Sequence, residues 1–265
     1  MHPKISIVVP CYKTELTLES TLKSVLHQNF DAWECLIIND GSPDNLENIA
    51  LKYSQLDSRF KYFKKKNGGL ASARNYGIEK ALGDFILPLD SDNEVCPDFV
   101  KKALDIGFNT PSVGVIYGDA EYFGSKQGLW KVGPFDIFKM LNENYIDACA
   151  VIRKDIFNDV GKYFEELPFQ GHEDWDLWLS IIDSSYDFYY IEEITFKYRV
   201  SQNSMIHLFD DTMISKNYNF IKNRHRSLYS KHFSGLYQKY NELQQEINAP
   251  KKVSFFHKLI NKIKL

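Results

Sequence analysis

Between residues 5 and 117, short apolar runs alternate with stretches of helical periodicity. This alternation restricts the fold more than any other feature of the chain. Ile5 to Val9, Trp33 to Ile38, Phe60 to Phe63, Phe85 to Leu89 and Val113 to Tyr117 read as strands. Between them lie helical patterns: Leu18, Leu22, Val25 and Leu26 share one face after a cap at Thr14, Leu46, Ile49, Ala50 and Tyr53 another. Further helices run from about Leu70 to Ala81 and from Pro97 to Phe108. Strand–helix alternation of this kind builds a mostly parallel sheet with right-handed crossovers, flanked by helices. The loops after Val9, Ile38 and Leu89 then share one edge, at the carboxyl ends of the strands, where open α/β sheets bind ligands. The polar, glycine-bearing segments fall on that edge.

Composition narrows the class. Of 265 residues, 44% are hydrophobic and 25% charged, the proportions of an ordered globular chain. A net charge of -3 argues against a protein that coats nucleic acid. No apolar run approaches the ~20 residues of a membrane-spanning helix. The first residues lead straight into a strand pattern and lack a signal-peptide cleavage site. Cys11, Cys35, Cys96 and Cys149 lie far apart with no Cys-x-x-Cys pair, so neither a zinc site nor a disulfide framework is expected, and a cytoplasmic setting is. The histidines show no zinc-hydrolase spacing.

The second half is less regular. Strand-like pieces surround Glu121 to Phe123 and Leu129 to Val132. The block Gln170-Gly171-His172-Glu173-Asp174 precedes an amphipathic helix with Trp175, Trp178, Leu179 and Ile182, and Thr195 to Val200 reads as a last strand. From Asp210 to about Asn248 the chain is polar and helical. The tail, residues 251–265, carries five lysines, no acid, and Phe256, Leu259, Ile260 and Ile263 on one helical face. That pattern suits an interfacial helix on an anionic membrane surface, and equally a terminal helix packed on the body or a disordered end.

Four constellations can carry chemistry. In Asp90-Ser91-Asp92 the two carboxylates project the same way from extended chain and suit one hard cation. A solvated turn has the same composition, and its place at the ligand edge favours the cation reading. Asp40, in the turn Asn39 to Asp44, can accept from a ligand N–H, while Ser42 or Asp44 caps the next helix. Asn67-Gly68-Gly69 opens a helix whose N–H groups suit phosphate, with Arg74 as a positive fork; the pattern is neither a dinucleotide nor a P-loop fingerprint. Glu173-Asp174 is the best general-base pair, and also what a helix dipole favours in a first turn. The segment from Tyr198 to His207 is either a loop over phosphate or a surface connection.

Taken in order, these motifs resemble the inverting family 2 glycosyltransferases, of non-processive bacterial surface-polysaccharide type. The matching residues are Ile7 to Tyr12, Asn39 to Asp44, Asn67 to Gly69 with Ala73 to Asn75, Asp90 to Asp92, Glu173 to Trp178 and Tyr198-Arg199. The resemblance covers roughly residues 4–207. It implies a GT-A (Rossmann-like) domain over 1–207, with a nucleotide-binding half at 1–118 and an acceptor-side half at 119–207, followed by a helical extension at 208–265. It also implies that Pro10, Tyr12 and Glu15 line a nucleoside and Asp40 bonds its uracil-type base. Asn67, Gly68 and Arg74 would lie by base or phosphate, and Asp90 and Ser91 by ribose or sugar. Asp92 would hold Mn2+ or Mg2+, Arg199 and His207 would close over the diphosphate and its metal, and Asp174, supported by Glu173, would be the catalytic base.

The implied activity is transfer of one hexose from a nucleotide-sugar, a UDP-sugar, to a glycan or lipid-linked acceptor at the inner face of the membrane. Lys13 and Asn39 depart from the family's common residues, and the absence of Q-x-x-R-W argues against processive synthesis. The competing readings are a sugar-nucleotide nucleotidyltransferase, disfavoured because no basic glycine-rich triphosphate loop lies near residues 10–20, a two-carboxylate glycoside hydrolase, and a carbohydrate-binding scaffold of the same fold. Aromatics are 15%, and core packing explains most of them; Tyr117, Tyr122, Phe123, Trp130, Tyr145, Phe169, Trp175 and Trp178 flank the expected base, where flat faces also suit sugar rings.

Overall fold

The computed structural model describes residues 2–201 and 210–248. His207 and the tail 251–265 therefore lie outside the described residues. In chain order the elements are β1 (Ile5–Cys11), α1 (Leu18–Leu26), β2 (Trp33–Asn39), α2 (Leu46–Leu56), β3 (Phe60–Lys64), α3 (Leu70–Lys80), β4 (Phe85–Pro88), β5 (Glu94–Val95) and α4 (Phe99–Asn109). There follow β6 (Val113–Gly124), β7 (Gly128–Trp130), α5 (Ile137–Asn142), β8 (Val151–Arg153), α6 (Ile156–Asp159), α7 (Glu173–Ile182), β9 (Asp187–Val200), α8 (Asp211–Arg224) and α9 (Arg226–Asn248).

One sheet runs β3-β2-β1-β4-β8-β6-β9-β5, with β7 paired to β6. Strands β3, β2, β1 and β4 are parallel, as the alternation predicts. Beyond β4 the sheet is mixed: β8 is antiparallel to both β4 and β6, and β9 runs parallel to β6. β1 and β2 are buried throughout, which accounts for their near-continuous apolar sequence. Ile5, Ile7 and Val9 join the core with Leu18, Leu22 and Val25 of α1, Ala50 and Tyr53 of α2, and Phe99 and Leu104 of α4. Each such fully buried aliphatic side chain contributes about 1.5–3 kcal/mol. Val8 faces the other way, towards α3, where Gly77 lets the helix in: a Cβ there would lie 2.3 Å from Val8 Cγ1.

Three sequence expectations change. The cap of α1 is Thr17, not Thr14, and no side chain bonds there as a cap; the Thr14 carbonyl, one turn earlier, accepts from Thr17 and Leu18 N–H. β6 runs unbroken through the 118/119 division, so both halves share one sheet. The chain divides into compact units at 226/227, not 207/208. Asn217 and Ile221 are fully buried, and that burial fixes α8 in the first unit. Among the described residues, no helix is long and apolar enough to cross a membrane.

Candidate active site

At the carboxyl edge of β1 and β2, side chains stitch the loops together. Lys13 N–H donates to Ser42 Oγ (2.7 Å), whose hydroxyl donates to Asp44 Oδ1 (2.6 Å). Glu15 N–H donates to Asp44 Oδ2 (2.9 Å), and Asn45 N–H returns a bond to Glu15 Oε2 (2.7 Å). Glu15 is thus a loop clasp. Pro10 sits within β1 and pairs with Ile38, while Tyr12 lies on the rim, 45% exposed.

Asp40 is buried, and its carboxylate already accepts three donors: Lys65 Nζ (2.7 Å), Gly68 N–H (3.0 Å) and Gly69 N–H (2.7 Å). Its backbone carbonyl accepts from Asn67 Nδ2 (2.9 Å). Leu70 N–H donates to Gln170 Oε1 (3.1 Å). The N–H groups of Gly68, Gly69 and Leu70, where the helix begins, are thus taken by Asp40 and Gln170. Gly69 is required there, with φ of 89°.

Arg74, which the resemblance places beside base or phosphate, is held by two carboxylates. It is 2% exposed. Nη1 donates to Glu173 Oε1 (2.8 Å) and Nη2 to Asp90 Oδ1 (2.7 Å). Burial opposes its charge, but Asp90 and Glu173 outweigh that and hold it protonated. Arg74 thus bridges Asp90, in the loop after β4, to Glu173 at the start of α7, which lie 16 and 99 residues from it in sequence. Arg199, which the resemblance places over the diphosphate, donates from Nε to the Asp92 carbonyl (2.9 Å) and from Nη2 to Ser20 Oγ (3.1 Å). It braces the acidic loop from below, together with Thr17 Oγ1 donating to the Ser91 carbonyl (3.0 Å). Ser91 itself is buried.

Asp92 is half-buried, and burial followed by the charge of Asp90 pushes its carboxyl up to about 6. Asp174, second residue of α7, is pushed up to about 7 by burial and then by Glu173. Asn144 Nδ2 (3.0 Å) and Trp175 N–H (2.9 Å) both donate to its Oδ1. Among the described residues Oδ2 has no partner. Glu173 is fully engaged, by Arg74 and by Gly171 N–H (2.8 Å) on Oε2, so it supports its neighbour structurally.

Two residues were not singled out from sequence. Asp147, in the segment between α5 and β8, is pushed up to about 8 by burial and then by Asp90, with Asp174 adding to the effect. Asn144 is the residue whose side chain donates to Asp174. A polar residue three to seven positions ahead of an apolar run such as Val151-Ile152 was the available signal, and it is too common to single out either one. Trp175 and Trp178, read as sugar-facing, are fully buried; their indole N–H groups donate to the carbonyls of Met140 (2.7 Å) and Ile146 (2.9 Å). Tyr117 and Tyr145 are buried too. Tyr122 and Trp130 stack within 2° of parallel, with Tyr198 edge-on to both and half-buried.

Known proteins can be set beside this geometry. WfgD of Escherichia coli, a UDP-Glc:alpha-D-GlcNAc-diphosphoundecaprenol beta-1,3-glucosyltransferase, is 31% identical over 207 residues, 76% of this chain and 79% of that protein. EpsH of Bacillus subtilis (strain 168) is 41% identical over 102 residues, 38% of this chain; the chain spans 30% of its length. The structure of S. aureus TarS 1-349 with UDP-GlcNAc superposes with a TM-score of 0.64 at 18% identity, covering 87% of this chain and 73% of that one. The mannosyltransferase PcManGT from Pyrobaculum calidifontis, solved with GDP-Man and Mn2+, gives 0.60 at 15% identity over 78% and 60% of the two chains. These structures establish the GT-A-like fold. The sequence profile described as glycosyl transferase family 2 matches residues 6–161, more than half the length, and the chain belongs to that family.

Proposed function

We propose that the protein is an inverting glycosyltransferase that moves one hexose from a UDP-sugar to a hydroxyl of a glycan or lipid-linked acceptor. The observation that carries this reading is Asp174: a carboxylate raised to about 7, fixed through Oδ1, with Oδ2 left to receive a proton. A base of that pKa is matched to neutral pH. The lipid-linked acceptor rests on the likeness to WfgD.

The residues present fit a hard divalent cation. Asp90 and Asp92 offer oxygen ligands side by side, and the charge of Asp90 raises Asp92, a repulsion that a cation relieves. No group of three or more His, Cys, Asp or Glu ligands forms among the described residues. Mg2+ commonly takes one or two carboxylates and fills the rest of its shell from substrate phosphates and water. A bound Mg2+ or Mn2+ supplies neutralisation of the charge on the diphosphate leaving group. Asp174 Oδ2 takes the acceptor proton. The acceptor oxygen bonds to the anomeric carbon from the face opposite the leaving group, and the bonding electrons depart with the nucleoside diphosphate. Arg74 fixes the distance between Asp90 and the start of α7 throughout.

The test is a screen of nucleotide-sugars with Mn2+, Mg2+ or EDTA, reading nucleoside diphosphate release and the anomeric configuration of the product. Metal-dependent UDP release with inverted product is expected. Pyrophosphate release would point to a nucleotidyltransferase, and no metal-linked UDP binding by calorimetry would point to a scaffold. Asp92→Ala should abolish the metal dependence of UDP binding.

A further inference from the structure

The base helix α7 is entered through a four-residue strap, Phe169 to His172, whose attachments lie on three different parts of the first unit. Its anchor is Asn217 of α8, which is 0% exposed. Asn217 Oδ1 accepts from Phe169 N–H (2.9 Å), and Nδ2 donates to the Phe169 carbonyl (2.8 Å) and lies 3.0 Å from His172 Nδ1. Burial lowers the His172 pKa, so the ring is neutral near pH 7 and Nδ1 can accept. The next residue on α8, Tyr218, packs its ring 4.5 Å from that of Trp175. At the carboxyl end of α8, Arg224 Nε (3.1 Å) and His225 Nε2 (2.8 Å) meet the buried Asp176 carboxylate of α7. From the same strap Gln170 reaches Leu70 N–H, against Gly69, where a Cβ would come 2.1 Å from Gln170 Nε2. Gly171 N–H holds Glu173.

A helix that merely packed would bury apolar side chains here, because a buried amide is costly unless each polar group is bonded. This one is spent entirely on the backbone and imidazole of the strap. We infer that Asn217 is a positioning residue for the transfer reaction, holding the Phe169–His172 strap so that Asp174 stands at a fixed place relative to the glycine loop at Gly69–Leu70, with Gln170 as the link between the two sides. This rests on Asp174 being the base. Small displacements of a reacting group are expensive: misplacement of about 1 Å can cost roughly a hundredfold in rate.

The experiment uses the full chain. Asn217→Ala and, as a variant that leaves α8 untouched, Gln170→Ala are assayed for kcat, donor KM and the acidic limb of kcat against pH. Hydrogen exchange is read at Phe169 and Gly171, and Asn219→Ala, exposed on the same helix, is the control. Both variants should lose about tenfold to a hundredfold in kcat with donor KM within threefold of wild type and a shifted pH midpoint. Asn217→Asp, which keeps the acceptor for Phe169 but loses two donors, should fall between. Phe169 should lose protection in Asn217→Ala. Wild-type kcat and midpoint in both variants, or a loss that tracks only the folded fraction, overturns the positioning role and leaves the transferase reading intact. A wild type that turns over no donor overturns the transferase reading itself, and this inference with it.

Discussion

Asp40 and Asp174 both stand on the ligand edge of the same sheet, and the protein uses them in opposite ways. Asp40 is saturated by Lys65, Gly68 and Gly69. Asp174 is bonded through one oxygen and destabilised as an anion by burial and Glu173. A carboxylate surrounded by fixed donors holds a loop together. A carboxylate deprived of them stores the free energy that a proton from substrate relieves. Two acids at matching places on one edge are thus told apart by their donors.

The largest effect that probes this contrast is on turnover. Asp174→Asn should lower kcat by about 10²–10⁴-fold while leaving UDP affinity nearly intact, measured by steady-state kinetics and calorimetry. The same change should stabilise the fold. Asp174's folded pKa of about 7 lies above its unfolded value of about 3.9. The native state therefore binds the extra proton between those values, and stability falls as pH rises through that window. The gain from Asp174→Asn should grow from pH 5 to pH 7 and level off above it. Each kcal/mol recovered should raise Tm by about 2–4 °C.

Asp40→Asn should do the reverse. Its amide cannot accept from all three donors, and an unsatisfied buried donor costs about 1–3 kcal/mol. Tm should fall and donor KM should rise, with kcat at saturating donor largely kept. If both substitutions destabilised equally at pH 8, the distinction between the two acids would be lost.

A smaller effect concerns pH. With Asp174 as base, kcat should drop tenfold per unit below about pH 7. Burial, Asp90 and then Asp174 push the Asp147 carboxyl up to about 8, above that of Asp174. Asp147 is thus uncharged over the range in which Asp174 titrates, and Asp147→Asn should leave the acidic limb and turnover in place. A limb that moved to lower pH would show Asp147 charged beside Asp174.

How much of this was legible depends on what packs against what. The parallel core was readable because β1, β2 and β4 are buried on both faces and read as near-continuous apolar runs, broken only by Ser6, Glu34 and the terminal Asn39. β5, β8 and α5 were not: two, three and six residues are too short to show a period. The first half of β9 escaped because Tyr189 and Ile194 are exposed and break the alternation. The acids of the candidate site were singled out by their motifs, but the partners that hold them were not. Arg74 looks like a phosphate fork until its two carboxylates, 16 and 99 residues away, are seen. Asn217 carries no local signal, since its partners lie 45 and 48 residues earlier.

The aromatics supply the smallest expected effect. Trp178 lies four residues after Asp174 in sequence, and on a sugar-facing reading its loss would weaken acceptor binding. In the fold it has no exposed surface, its N–H is bonded to Ile146, and its ring meets Phe188 edge-on. Trp178→Phe removes that donor and leaves the Ile146 carbonyl unsatisfied, at a cost of about 1–3 kcal/mol. Acceptor KM should not move, because no ring face is lost to substrate. Trp130→Ala gives the contrasting case: on a half-buried ring at the rim, it should raise acceptor KM at constant kcat. If Trp178→Phe raised acceptor KM and Trp130→Ala did not, the buried and rim aromatics would have exchanged roles.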